Sequence, residues 1–184
     1  MNILSIGGSD PSSGAGIQSD IKTFSNYDVY GFTVVTAVTS QNTKKVVSIE
    51  PVSSKSLKSQ LESILSDFQI DAVKIGMVYD SKTIMAIHSK LMNIKVPIVV
   101  DPIIRSTTGA TLLKKNALPD YKKIIVPLAD VITPNKYEAK VLSGISNPGK
   151  AARKLQSMGA NCVIITGAVA SKGKISDLIL EQNK

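Results

Sequence analysis

The sequence predicts an α/β fold built on a mainly parallel sheet. Two observations carry this. Short runs rich in Val, Ile and Ala recur along the chain, nearly continuous in apolar residues, as strands buried on both faces read. Between them lie segments with apolar residues at helical spacing. Strand and helix therefore alternate, the pattern of a layered α/β domain with right-handed crossovers.

The runs come in the order 2–6, 32–39, 71–78, 96–100, 130–133 and 162–166. The first intervening helix carries Ile17, Ile21 and Phe24. The next carries Leu57, Leu61, Ile64, Leu65 and Phe68, with Ser53 and Ser54 as capping candidates. A third carries Ile84, Ile87 and Leu91. A later one carries Ala151, Leu155 and Met158, entered through Asn147-Pro148 and stopped at Gly159. Residues 168–173 read as a loop and 174–180 as one more strand, placed last with nothing to cover it. No repeat, linker or low-complexity segment divides the 184 residues, so one domain spanning 1–184 is expected.

Composition narrows the function. The charged fraction of 20% and the apolar fraction of 43% are ordinary for a globular protein. No apolar run is long enough for a membrane span, and no secretory leader pattern opens the chain, so a cytoplasmic protein is expected. The single cysteine, Cys162, lies in a strand-like run and reads as a buried, inert thiol. The net charge of +8 is spread over isolated lysine pairs, and aromatics are only 4%. Without a stacking platform, nucleic-acid binding is not expected, whereas phosphorylated small molecules suit such a surface. His88 has no partner constellation and reads as structural or surface-lying.

In open parallel sheets ligands bind beyond the carboxyl ends of the strands, and polar or glycine residues follow each run here. The first is followed by a glycine-rich turn, Gly7 to Gly16, neither a dinucleotide fingerprint nor a P-loop. The others are followed by Ser40-Gln41-Asn42-Thr43, Lys74-Ile75-Gly76-Met77, Asp101-Pro102 with Arg105 to Gly109, Thr133 to Glu138, and Thr166-Gly167. A ligand cleft along that edge is the leading expectation.

These segments carry a resemblance. Gly7-Gly8-Ser9-Asp10-Pro11-Ser12-Ser13-Gly14-Ala15-Gly16, continuing to Phe24, resembles the opening signature of the hydroxymethylpyrimidine/phosphomethylpyrimidine kinases of thiamine biosynthesis. Ala37 to Thr43, Lys74 to Met77, Val100 to Ile104 and Ile132 to Ala139 are similar to later landmarks of that family, in order, over nearly the whole chain. The resemblance implies a ribokinase-like three-layer α/β/α sandwich. It also implies Mg-ATP-dependent phosphorylation of 4-amino-5-hydroxymethyl-2-methylpyrimidine and then of its monophosphate, in an enzyme that is a possible homodimer.

Roles follow by position. Gln41 resembles the amide that reads the aminopyrimidine edge, a task suited to a group with both donor and acceptor, although a loop amide facing water is the plain alternative. Ala15 and Met77 resemble pocket walls, with ordinary core as the alternative for Met77. Asp10 and Asp20 fall near the pyrimidine by motif position, or serve as a turn former and a surface acid. Asn135 and Glu138 resemble the superfamily Asn-x-x-Glu pair that organises Mg2+ near the nucleotide phosphates. The same two residues fit a capping box at a helix N-terminus, and both roles can coexist. Asp101 resembles an active-site acid near metal and phosphate, or forms a strand-end turn. Thr108 is expected at the phosphate, and Thr166 and Gly167 at the nucleotide.

The pattern also breaks. The family has a late Gly-Thr-Gly-Cys/Asp loop whose amides hold the transferred phosphoryl group, and the sequence contains no such segment. Gly167-Ala168-Val169 stands where Gly-Gly-His is usual, and Thr166 where Lys is usual. The expectation is thus a kinase-family domain incomplete at its C-terminus. A non-catalytic pyrimidine-binding or sensor relative and a pyridoxal kinase are the alternatives.

Overall fold

The structure, a computed structural model, describes residues 1–171 and 173–181. Its eight-stranded sheet has the order β3-β2-β1-β4-β5-β6-β7-β8. The strands are β1 (Asn2–Ser9), β2 (Tyr30–Gln41), β3 (Val46–Pro51), β4 (Ala72–Ile75), β5 (Ile98–Val100), β6 (Val131–Ile132), β7 (Cys162–Ser171) and β8 (Lys174–Glu181). Every pairing from β2 through β7 is parallel, and β3 and β8 close the two edges antiparallel. The chain leaves β1 toward β2 on one side and returns to β4 on the other. That reversal makes a topological switch point between β1 and β4, where their carboxyl ends part and a crevice opens.

The helices are α1 (Gly16–Asn26), α2 (Ser54–Leu65), α3 (Ser81–Leu91), α4 (Lys136–Ser143) and α5 (Pro148–Ser157). Strand alternation assigns them to faces. On β1, Leu4 and Ile6 are fully buried in one core with Leu57 and Leu61 of α2 and Ile84 and Ile87 of α3. The intervening Ser5 donates to Asp20 of α1 at 2.6 Å, so α1 lies on the opposite face. Leu142 of α4 and Leu155 of α5 join the larger core, placing them with α2 and α3. Helices thus flank the sheet on both sides, as an α/β/α sandwich requires.

Several expectations are corrected. Ser40 and Gln41 lie inside β2, not after it. β2 runs on into a hairpin with β3, a strand hidden by the lysines and serines that interrupt its apolar residues. Residues 168–171 extend β7 rather than forming a loop. Residues 115–128 form a succession of short 3-10, α- and π-helical turns, a segment whose Pro119 and Pro127 interrupt any long helical pattern. Burial on both faces holds only in β1, where Leu4 to Gly8 are all buried. On the α1 face of β5 to β8, Val99, Val131, Cys162 and Ile164 are half-buried and Ile179 is exposed. Cys162 is therefore not the buried thiol expected; burial and the neighbouring Glu181 nevertheless push its pKa up, away from thiolate chemistry. His88 sits half-buried in the last turn of α3.

Candidate active site

The crevice at the switch point is lined by the turn after β1, the ends of β2 and β4, and the segment after β5. The turn is held open by its own hydrogen bonds. The Asp10 carboxylate accepts from Ser12 N at 2.8 Å, Ser12 Oγ at 2.8 Å and Ala15 N at 2.9 Å. Burial pushes this carboxyl up, but the hydrogen bonds from Ser12, Ala15 and Gln41 together outweigh it and hold the pKa below the ordinary aspartate value. Gln18 of α1 ties the same turn down, accepting from Asp10 N at 2.9 Å and donating to Ser9 Oγ at 2.7 Å. Gly16 enters α1 at φ +63°, and a Cβ there would stand 2.4 Å from the Gly8 carbonyl oxygen, so only glycine lets the helix start this close to β1. No side chain caps α1, which leaves its first amides to the crevice.

The opposite wall comes from β2 and β4. Thr36 donates to the Met77 carbonyl at 2.7 Å and Thr39 to the Ser9 carbonyl at 2.9 Å, stapling both ends across β1. Met77 is buried, with its sulfur 2.8 Å from where a Gly8 Cβ would be; bare backbone on one side makes room for the thioether on the other. Gln41 lies at the last position of β2, beside a bulge in its pairing with β3, and faces the crevice with Ala15 and Met77. Ile103, Arg105, Ser106, Thr107 and Leu112 complete the lining. They belong to a small hairpin in which Ser106 N donates to Ala110 O and Leu112 N to Ile104 O, both at 2.9 Å.

A row of polar groups runs from this crevice along the sheet edge, in strand order. Beyond β4 stands Asp101 at the end of β5. Burial pushes its carboxyl up, nearby Lys74 pulls it down and Asp20 raises it again. Beyond β5 come Asn135 and Glu138 at the start of α4. They form the capping box that was the alternative reading: Glu138 N donates to Asn135 Oδ1 at 3.0 Å, and Asn135 N to Glu138 Oε2 at 2.9 Å. Glu138 Oε1 also accepts from Ile104 N at 3.4 Å. Burial raises the Glu138 pKa, those amides lower it, and Asp101 raises it further. Thr166 meets Asn135 in an isolated parallel bridge, its N–H donating to Pro134 O at 2.9 Å, and Gly167 follows.

The expected residues therefore separate into two groups joined by Asp101. Gln41, Ala15, Met77 and Asp10 share the crevice; Asn135, Glu138, Thr166 and Gly167 gather two strands away. Thr108 joins neither. It is exposed at the hairpin tip, bonded to Ser106 Oγ at 2.8 Å, while Thr107 lines the crevice. Asp20 is not on the crevice surface but behind it, paired with Lys74. Sequence reasoning singled out no function for Lys74, which lines the crevice; its signal was a lysine inside an apolar strand run two residues before a glycine. It also left Arg105 without a role; its guanidinium lies 5.2 Å over the Tyr137 ring.

The family model for phosphomethylpyrimidine kinase matches residues 10–184. The chain belongs to the phosphomethylpyrimidine kinase family. It is 39% identical over 184 residues to a hydroxymethylpyrimidine/phosphomethylpyrimidine kinase of Rhizobium meliloti, covering 97% of this chain and 69% of the relative. The corresponding kinase of Haemophilus influenzae is 42% identical, with 90% of this chain and 64% of that protein covered. The chain thus spans about two thirds of the length of these curated relatives. The crystal structure of phosphomethylpyrimidine kinase from Clostridium difficile 630 superposes with a TM-score of 0.90 at 38% identity, over 100% of this chain and 82% of that one. The pyridoxal kinase of Staphylococcus aureus, solved in complex with ADP, superposes at 0.85 with 33% identity, over 98% of this chain and 68% of that one. These likenesses establish the ribokinase-like α/β fold expected from the motifs. Among the described residues no helix is long and apolar enough to cross a membrane.

Proposed function

We propose that the chain binds 4-amino-5-hydroxymethyl-2-methylpyrimidine and its monophosphate in the switch-point crevice and serves their ATP-dependent phosphorylation. The observation that carries this reading is the convergence of Gln41, Ala15 and Met77 on one crevice, in a chain of this family. The Gln41 amide offers a donor and an acceptor to the aminopyrimidine edge, while Met77, Ile103 and Leu112 supply the apolar walls a ring needs. The nucleotide would lie along the row toward β6 and β7, near Asn135, Thr166 and Gly167.

Mg2+ fits the residues between the two groups. Asp101 and Glu138 are two carboxyls that burial raises, with Asp20 adding to the first and Asp101 to the second, and a divalent cation would favour the charged form of both. Glu138 spends both oxygens on backbone amides, so its contact would run through water, as Mg2+ commonly accepts. Bound Mg2+ would neutralise charge on the phosphates; the residues themselves orient the pyrimidine and hold the acids in place.

A second reading, a pyrimidine-binding relative without transfer, is favoured by one observation: Thr166 and Gly167-Ala168-Val169 depart from the residues usual for the family in the expected nucleotide region. One experiment separates the readings. Binding of hydroxymethylpyrimidine is measured by calorimetry on wild type and Gln41→Leu, and products with Mg-ATP by mass spectrometry. Gln41→Leu is expected to weaken binding about tenfold or more. Either phosphate product supports the kinase, binding without product supports the binder, and preferential binding of pyridoxal overturns both.

A further inference from the structure

An ion pair stands behind the crevice wall, formed by residues far apart in sequence. Lys74 Nζ of β4 reaches both oxygens of Asp20 on α1, at 2.8 and 3.1 Å, and Ser5 Oγ of β1 donates to the same carboxylate at 2.6 Å. Side chains of the pair are about a fifth exposed, 22% for Lys74 and 19% for Asp20. Lys74 itself lines the crevice. Its Nζ lies 2.9 Å from where a Gly76 Cβ would be, so the glycine two residues on opens the notch the ammonium occupies. A lysine has three N–H donors, and Asp20 takes two. Among the described residues no other acceptor takes the third.

A partly buried ion pair is a poor device for stability alone, because desolvation offsets most of the attraction. As part of a binding wall it has a clear use. Gln41, Ala15 and Met77 suit a neutral ring, and nothing among them distinguishes a free alcohol from its phosphate. The two pyrimidines of the proposed function differ at one place, the oxygen on the ring methylene, which carries hydrogen in one and a phosphate in the other. A cation fixed in the wall interacts far more with the second. A carboxylate fixed behind that cation tempers its field, so the neutral alcohol still binds.

We infer that Lys74 donates to the substituent on the substrate methylene and favours the phosphorylated pyrimidine, and that Asp20 limits this preference, letting one crevice accept both substrates. This rests on the proposed pyrimidine site. The two members of the pair then have opposite effects on specificity, an outcome no merely structural ion pair gives.

The test is calorimetric titration of hydroxymethylpyrimidine and of its monophosphate into wild type, Lys74→Met, Lys74→Arg and Asp20→Asn. The quantity read is the preference for the monophosphate over the alcohol. Lys74→Met is expected to lower it about tenfold, Lys74→Arg to keep it within about threefold, and Asp20→Asn to raise it. In wild type the preference is expected to fall with added salt. If Lys74→Met weakens both ligands equally, or if both pair members move the preference the same way, the inference is wrong and the pair is structural. Should Lys74→Met fail to fold, the sign of the Asp20→Asn change decides. Wild type that binds neither pyrimidine overturns the proposed function and this inference together; wild type that binds both, with an unmoved preference in every variant, overturns this inference alone.

Discussion

Asp101 and Glu138 are carboxyls that the fold holds partly or wholly out of water, and their titration is the residue-scale signature of the site. Both pKa values lie above the ordinary carboxyl values, chiefly through burial. The folded protein therefore binds these protons more tightly than the unfolded chain does. Stability from this source is fully present below the ordinary carboxyl range and is lost as pH rises through the raised values. Asp101→Asn removes one such group and relieves its repulsion of Glu138. It is expected to raise the melting temperature at pH 8, by about 2–4 °C for each kcal/mol relieved, and to change little at pH 4. Scanning calorimetry at the two pH values checks this; an equal shift at both would mean that charge at Asp101 is not the cause. Short motifs were enough to bring Gln41, Ala15 and Met77 together in the sequence reading, and the structure places all three on the crevice lining. The Lys74–Asp20 pair was not legible. Its partners are 54 positions apart, and only the packing of α1 against β1 and β4 brings them together.

At the scale of an element, the start of α4 is closed by the same atoms that the proposed function places beside the nucleotide. Asn135 Oδ1 and Glu138 Oε2 close a capping box, so a loss of nucleotide binding in a variant there can follow simply from a frayed helix. Substitution separates the two. Asn135→Ala is expected to cost about 1 kcal/mol in urea unfolding, whereas Asn135→Asp, which keeps a cap acceptor, should cost much less. A cost near zero for the alanine variant would show that α4 is held by its packing alone. Elements were legible where a local signal set them: Asn147 and Pro148 do open α5, with Asn147 Oδ1 accepting from Lys150 N at 3.0 Å. They were illegible where pairing decides. β3 is a strand because β2 offers it an edge, and β7 outlasts its apolar run because β8 folds back on it. Local preference was overridden by tertiary pairing in both.

Over the whole molecule the two faces of the sheet are unequal. α2 to α5 and residues 115–128 cover one face, while among the described helices α1 alone lies on the other. On that second face Val99, Val131, Cys162, Ile164 and Ile179 make an apolar strip. Ile179 is 62% exposed, so a lysine there loses little packing. Ile179→Lys is expected to move the urea stability by no more than about 0.5 kcal/mol. It should also lower the fluorescence of a dye that binds apolar surface. Unchanged dye binding would show that the strip does not act as one patch. Alternation of strand and helix was enough to foresee the layers, but how many helices lie on each face depends on which way each crossover runs, and composition does not record that.

The switch point also has a consequence for how the protein comes to exist. β1 pairs early with β2, a near neighbour in the chain, but its other flank waits for β4; Asn2 N donates to Asp71 Oδ2 at 2.7 Å across 69 positions. Contacts that close so long a loop form late, because the chain entropy is lost before the contact is gained. Met77 and Lys74 arrive with β4, so the crevice has only one wall until that docking occurs. A molecule that fits the finished crevice therefore has little to hold during assembly. It acts afterwards, as a brake on opening rather than a guide to folding, and the same ligand that leaves the refolding rate unmoved lengthens the lifetime of the native state.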